Sequence, residues 1–133
     1  MSGVAIIRSL LASNVGLTAV VPAVRITAGI TPIETPLPAI SVTQISSTQR
    51  LNVAMDTTKY LVTERVQVTV QTKTYQQQKS ILALVRAALP LSRGTVNGFA
   101  CDGIVPDLEG PDLFDPDSIA YFQSVDFFVR FTR

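Results

Sequence analysis

The chain has 133 residues, 47% apolar and 16% charged, with a formal net charge of +1, no histidine and one cysteine. This composition predicts one compact domain, long enough to bury roughly two thirds of its unfolded surface, and argues against disorder. It excludes an internal disulfide, catalysis by serine or cysteine paired with histidine, and a zinc site of the usual kind.

The opening stretch MSGVAIIRSLLASN predicts a helix. Ser2 can cap it, and Val4, Ile7, Leu10 and Leu11 recur at three- and four-residue spacings with Arg8 and Ser9 off the stripe. Asn14 or Gly16 ends the helix, and GLTAVVP adds one further turn before Pro22 forbids continuation. The stretch lacks a basic region followed by a long apolar run and a cleavage site. No segment approaches the ~20 apolar residues of a membrane span, so the expectation is a soluble chain made in the cytoplasm, without membrane contact.

Between proline punctuation marks, residues 24–27 read as a short strand and 39–46 as a longer one with Ile40 and Val42 on one face. Pro38 stands just before the first residue of that strand, where no ladder hydrogen bond is lost, and Pro36 stiffens the approach. Residues 46–59 are mostly polar but alternate Leu51, Val53 and Met55 against Asn52, Ala54 and Asp56. They are expected to form an extended arm, the distal part of a hairpin.

The clearest strand covers 60–73. Tyr60, Val62, Val66, Val68 and Val70 share one parity, and Thr63, Arg65, Gln67, Thr69 and Gln71 the other. Glu64 breaks the apolar side and is read as a bulge or as the point where the strand leaves the core. Thr74, with Gln77 three residues on, predicts a capping box. The helix that follows places Leu82, Val85, Ala88 and Leu89 on one stripe and ends before Pro90.

The last third reads as an irregular strand near 96–109, a Gly/Pro/Asp loop over 107–118 and a final strand over about 119–131. In the final strand Ile119, Tyr121, Val125, Phe127, Val129 and Phe131 share one parity, with Gln123 the exception. Phe122, Asp126, Phe128 and Arg130 occupy the other. The fold class that follows is α+β: an antiparallel or mixed sheet of four to five strands with two helices on one face, plus an extended arm, as one domain over 1–133.

Charge is unevenly placed. Residues 1–93 hold nine Lys/Arg against three Asp/Glu, whereas residues 94–133 hold two against seven. Such separation either favours head-to-tail contacts between identical subunits or gives two solvated faces that never meet.

A search for chemistry is mostly negative. There is no glycine-rich phosphate loop. Asp102, Asp107, Glu109, Asp112, Asp115 and Asp117 supply oxygen ligands in principle, but their spacing does not match an EF-hand and their Gly and Pro neighbours are ordinary turn chemistry. Asp102 disfavours a reactive thiolate at Cys101, which reads as a half-buried filler. Basic residues are scattered singly, without the aromatic interleaving of single-strand platforms. The expectation is a non-enzymatic protein without metal or cofactor. Its subunit or partner contacts are expected at Leu51, Val53 and Met55 on the arm, at Phe122, Phe128 and Arg130 on the second sheet face, and at Asp112 and Asp115 in the acidic loop. The other readings are a small-ligand or regulatory α+β domain within a larger complex, and an enzyme using the acidic loop with a metal.

The order IIRSLLASNVGLTAVV, VRI, PLPAISV, RVQVTVQTKTYQQQKSILALVRAAL and AYFQSVDFFVRF resembles the phage tail-completion family, the tail-to-head joining and tail-terminator proteins of long-tailed phages. The 107–118 loop departs from that pattern. The resemblance implies a structural virion protein, made in the host cytoplasm, that forms a ring, commonly hexameric, at the head-proximal end of the tail. It implies as partners further copies of itself, the tail tube protein and a head-tail connector or stopper, with DNA passing through the channel without sequence-specific binding.

Overall fold

The computed structural model describes residues 2–29, 36–51, 60–89, 94–96, 99–117 and 119–132. In chain order they form α1 (Ser2–Ser13), α2 (Val15–Thr18), a 3-10 turn (Ala23–Arg25), β1 (Ile26–Ala28), β2 (Ala39–Leu51), β3 (Tyr60–Thr72), α3 (Tyr75–Ala88), β4 (Gly94–Val96), β5 (Phe99–Glu109), β6 (Leu113–Asp115) and β7 (Ala120–Thr132). The strands make one sheet in the order β1-β2-β3-β7-β5-β4, with β6 also paired to β7. The β1–β2 pair is parallel and the other pairs are antiparallel. This is the expected α+β class with a mixed sheet, extended by the three-residue strands β1, β4 and β6. β1 overlaps the short strand expected at 24–27, whereas pieces such as β4 and β6 carry too few periodic residues for a sequence pattern to reveal them.

Three strands of 13 residues each, β2, β3 and β7, form the centre. At ~3.3 Å per residue each spans about 43 Å, well beyond an ordinary strand. One face of this sheet carries Val62, Val66, Val68, Val70, Val125, Phe127, Val129 and Phe131, all buried. Helices α1 and α3 supply the facing layer with Val4, Ile6, Ile7 and Leu11, and with Ile81, Leu82, Val85 and Ala88, in the same apolar cluster. Fully burying each large side chain contributes about 1.5–3 kcal/mol, so this cluster dominates the stability of the fold.

Local chemistry fixes the helix boundaries. Helix α1 begins at Ser2 itself, so Ser2 is its first residue and not the cap in front of it. Asn14 caps α2, its side-chain oxygen accepting from the Leu17 amide at 2.9 Å. Thr74 caps α3 by accepting from the Gln77 amide at 3.2 Å, the expected capping contact. The short strand expected at 24–27 is a 3-10 turn followed by β1, because the chain leaves Pro22 already in a turn. The Leu37–Pro38 peptide is cis, and β2 starts at the next residue.

Glu64 corrects an expectation. It neither bulges nor leaves the core; it pairs regularly with Ser47 and Val129 and is fully buried beneath the start of α1. A Cβ placed on Gly3 would lie 2.6 Å from its Oε1. The bulge sits on β2, where Ile45 is the extra residue between Gln44 and Ser46. Residues 44–50 of β2 are exposed and pair with the start of β3, whose other side is paired with the end of β7, so β2 forms the sheet edge there. The remainder of the arm, 52–59, lies outside the described residues.

Candidate functional site

The helices cover one sheet face. The opposite face is lined across β2, β3 and β7 by Ser41, Thr43, Gln67, Thr69, Ser124 and their neighbours, mostly uncharged hydroxyls and amides. Alternation forces this, since every second side chain of a strand must point away from the helices. At mid-face Thr69 and Ser124 share a hydrogen bond of 2.9 Å. One rung further, the Arg65 guanidinium donates to Asp126 Oδ2 from Nε at 3.0 Å and from a terminal nitrogen at 2.7 Å. It also pairs with Asp107 at 3.3 Å and lies 6.0 Å from the centre of the Phe128 ring. Asp126 is buried, so this pair is the best-shielded ion pair among the described residues. Toward the hairpin end the rungs carry Thr63 opposite Arg130 and Arg50 opposite Leu61.

A second constellation ties the acidic segment to α3. Lys79 Nζ donates to Asp112 Oδ1 at 2.6 Å and to Gln123 Oε1 at 2.8 Å, while Tyr75 donates to the other Asp112 oxygen at 2.8 Å. Gln123 completes the tie by donating to the Gly110 carbonyl at 2.7 Å. This explains why an amide interrupts the apolar parity of β7. The hydrogen bond from Lys79, and then that from Tyr75, hold the Asp112 carboxyl below its ordinary value. The bond to Asp112 in turn holds the Lys79 ammonium above its own. Arg86 pairs with Glu109. Around this clamp Phe114 packs on Tyr121 with centroids 4.7 Å apart, and Tyr121 meets Tyr75 edge-on at 6.2 Å. Leu108, Leu113, Phe114 and Ile119 remain exposed.

Phe122, Phe128 and Arg130 lie together on the open sheet face, the two phenylalanines half-buried and Arg130 exposed. Asp112 belongs to the clamp, and Asp115 in β6 accepts from the Asp117 amide at 3.0 Å. Leu51 ends β2 opposite Tyr60, and Val53 and Met55 fall outside the described residues. Sequence reasoning passed over Arg65, Lys79 and Tyr75, whose acidic partners lie 33 to 61 positions away. The available signal was a lone cation on the wet parity of a strand and another one turn into a helix.

Among the described residues no group of three or more Asp, Glu or Cys side chains converges as a metal site, and no helix is long and apolar enough to cross a membrane. Among the described residues the arrangement offers a hydrogen-bonding face, two aromatic side chains and paired charges.

Comparison with known proteins agrees with that character. A family model described as tail completion protein gp17 matches residues 5–132. Among solved structures, a chain from the virion of a native gene transfer agent particle superposes with a TM-score of 0.70 at 17% identity. The match covers 98% of this chain and 94% of that one. No curated protein sequence matches at comparable significance.

Proposed function

This chain belongs to the tail completion protein gp17 family and is a structural tail protein, and we propose that it forms a ring, a hexamer, at the head-proximal end of a tail tube. There it closes the tube, joins it to the head connector or stopper, and leaves a channel through which DNA passes. Its role is architectural and not catalytic. The family match over nearly the whole chain carries the reading, and the likeness to a chain of a gene transfer agent virion supports it.

Two features of the molecule fit a ring subunit. The sheet is covered by helices on one side only, leaving Phe122 and Phe128 half-exposed on the other, as a surface that meets a neighbour would be. Beyond Ile40–Val42, the part that β1 accompanies, β2 is an exposed sheet edge among the described residues, so its backbone and side chains are available to a tube or connector subunit. A heterologous contact between such surfaces closes into a ring when its rotation divides a full turn evenly.

The test is replacement of residues 52–59 by Asn-Gly, which closes the hairpin with a two-residue turn and leaves the described rungs intact. The shortened chain should fold with an unchanged circular dichroism spectrum yet fail to cap purified tail tubes in electron micrographs. Normal capping by the shortened chain would remove the hairpin from the mechanism, and failure of the unaltered chain to cap tubes would refute the proposed role.

A further inference from the structure

At the hairpin end of the open sheet face, Thr48, Arg50, Leu61, Thr63 and Arg130 line a cleft of about 380 Å³. Arg50 on β2 and Arg130 on β7 stand on either side of β3, two residues out of step along it, so their backbones are about 12 Å apart at ordinary strand spacing. Three other cations are paired within the chain: Arg65 with Asp126 and Asp107, Lys79 with Asp112, and Arg86 with Glu109. Among the described residues neither Arg50 nor Arg130 has a carboxylate partner. Asp107 and Asp126 are both engaged by Arg65.

We infer that this cleft is a phosphate seat, which contacts the sugar-phosphate backbone of nucleic acid without reading its sequence. Two guanidiniums offer forked donors that match phosphate oxygens. Thr48 and Thr63 add hydroxyl donors between them, as in contacts that position a backbone and carry no base information. No aromatic side chain lines the cleft to stack on a base, which favours backbone contact over base readout. A second copy's acidic segment is the competing occupant, but its Asp107, Glu109 and Asp112 are already paired within their own subunit. The inference deepens the proposed role by naming the side chains that meet DNA in the channel, and it rests on that role only for which nucleic acid is encountered.

The test is fluorescence anisotropy of the full chain with two labelled DNA duplexes of unrelated sequence, titrated across salt. Each phosphate neutralised adds about 0.9 to the slope of log affinity against log salt, so the pair contributes about 1.8, or roughly tenfold between ~50 and ~200 mM. Both duplexes should bind alike. Arg50→Ala with Arg130→Ala should flatten the slope by about 1.8 per bound subunit, whereas Arg50→Lys with Arg130→Lys should preserve it and Arg25→Ala should leave it unchanged. Absence of DNA binding by the unaltered chain, or equal slopes in it and the double alanine variant, would overturn the inference. A double alanine variant that binds DNA normally but no longer self-associates would also overturn it, assigning the cleft to an acidic protein partner. Tube capping is scored separately: if the unaltered chain binds DNA through these arginines yet caps no tubes, the ring role fails and the phosphate seat stands.

Discussion

Replacing Glu64 by Leu should stabilise the protein. Glu64 is fully buried on the helix-facing side of β3, and neither carboxyl oxygen has a hydrogen-bond partner. A buried polar group left unsatisfied costs about 1–3 kcal/mol. An apolar side chain of similar size removes that cost and adds a transfer gain of about 1.5–3 kcal/mol, less about 1–1.5 kcal/mol for imperfect shape. These terms sum to a net gain of about 1–5 kcal/mol. For a 133-residue chain each 1 kcal/mol raises the melting temperature by roughly 3–5 °C. Urea unfolding followed by circular dichroism should show a higher midpoint at an unchanged slope, the signature of a stability change without a change in exposed surface.

A companion variant isolates the cause. Glu64→Gln keeps the shape and leaves a polar group buried in the same place, so its midpoint should not rise as the leucine variant's does. If glutamine stabilises as much as leucine, or if leucine lowers the midpoint, the argument from unsatisfied burial is wrong. Gly3 provides an independent handle, since a Cβ there meets Glu64 Oε1 at 2.6 Å and its Cβ at 3.2 Å. Gly3→Ala should therefore destabilise the chain despite alanine's helix preference of about 1 kcal/mol. In a Glu64→Ala background the contacts at 2.6 and 2.8 Å are gone and only the 3.2 Å Cβ contact remains, so the same change should cost less, a coupling that a double-mutant cycle reads directly.

Two further outcomes concern α3 and its clamp. Thr74→Ala removes the side-chain acceptor for the Gln77 amide and should lower stability by about 1 kcal/mol, read as a reduced urea midpoint. Asp112→Asn should lower the midpoint at neutral pH. The Asp112 carboxyl sits below 3.8 in the fold, so its contribution is present above that value and is lost as pH falls through the folded one. Lys79 sits above 10.5, so its contribution is present below that value and is lost as pH rises through the folded one. The gap between the native chain and the variant should therefore close in strong acid; a gap that persists there would remove the ion pair as its cause.

Period-based reasoning recovered what period governs. The alternation over 60–73 placed β3 and its buried valines, the Thr74–Gln77 spacing placed the start of α3, and the parity of β7 divided its aromatic residues between core and open face. It failed where a residue's environment is set by distant chain. Glu64 and Gln123 both interrupt an apolar parity and both are buried, but for unlike reasons: Gln123 bridges Lys79 and the Gly110 carbonyl, whereas Glu64 lies unpartnered against Gly3. No local pattern distinguishes them. The bulge went to β2 because Ile45 can be accommodated at an exposed position there, while a bulge at Glu64 would have turned the valines beyond it away from the helices. Of the expected contact residues, the fold gathers Phe122, Phe128 and Arg130 on one face and commits Asp112 to α3.

The polarity of charge along the sequence acquires a different meaning in the fold. A basic first two thirds and an acidic last third suggest subunits that attract one another head to tail, yet the described ion pairs join those two segments within a single chain. Arg65, Lys79 and Arg86 come from the basic part, and Asp107, Asp126, Asp112 and Glu109 from the acidic part. The pattern thus fastens the β5–β6 region onto β3 and α3, at separations where loop closure alone gives little guidance. Intramolecular pairing of this kind leaves the middle of the open face nearly neutral, whereas Arg50 and Arg130 at its hairpin end have no carboxylate partner among the described residues. Electrostatic effects on encounter with other molecules should therefore originate at that end, and salt should weaken them there first, because exposed charges are screened within about 10 Å at ~0.1 M while the buried Asp126 pair is not.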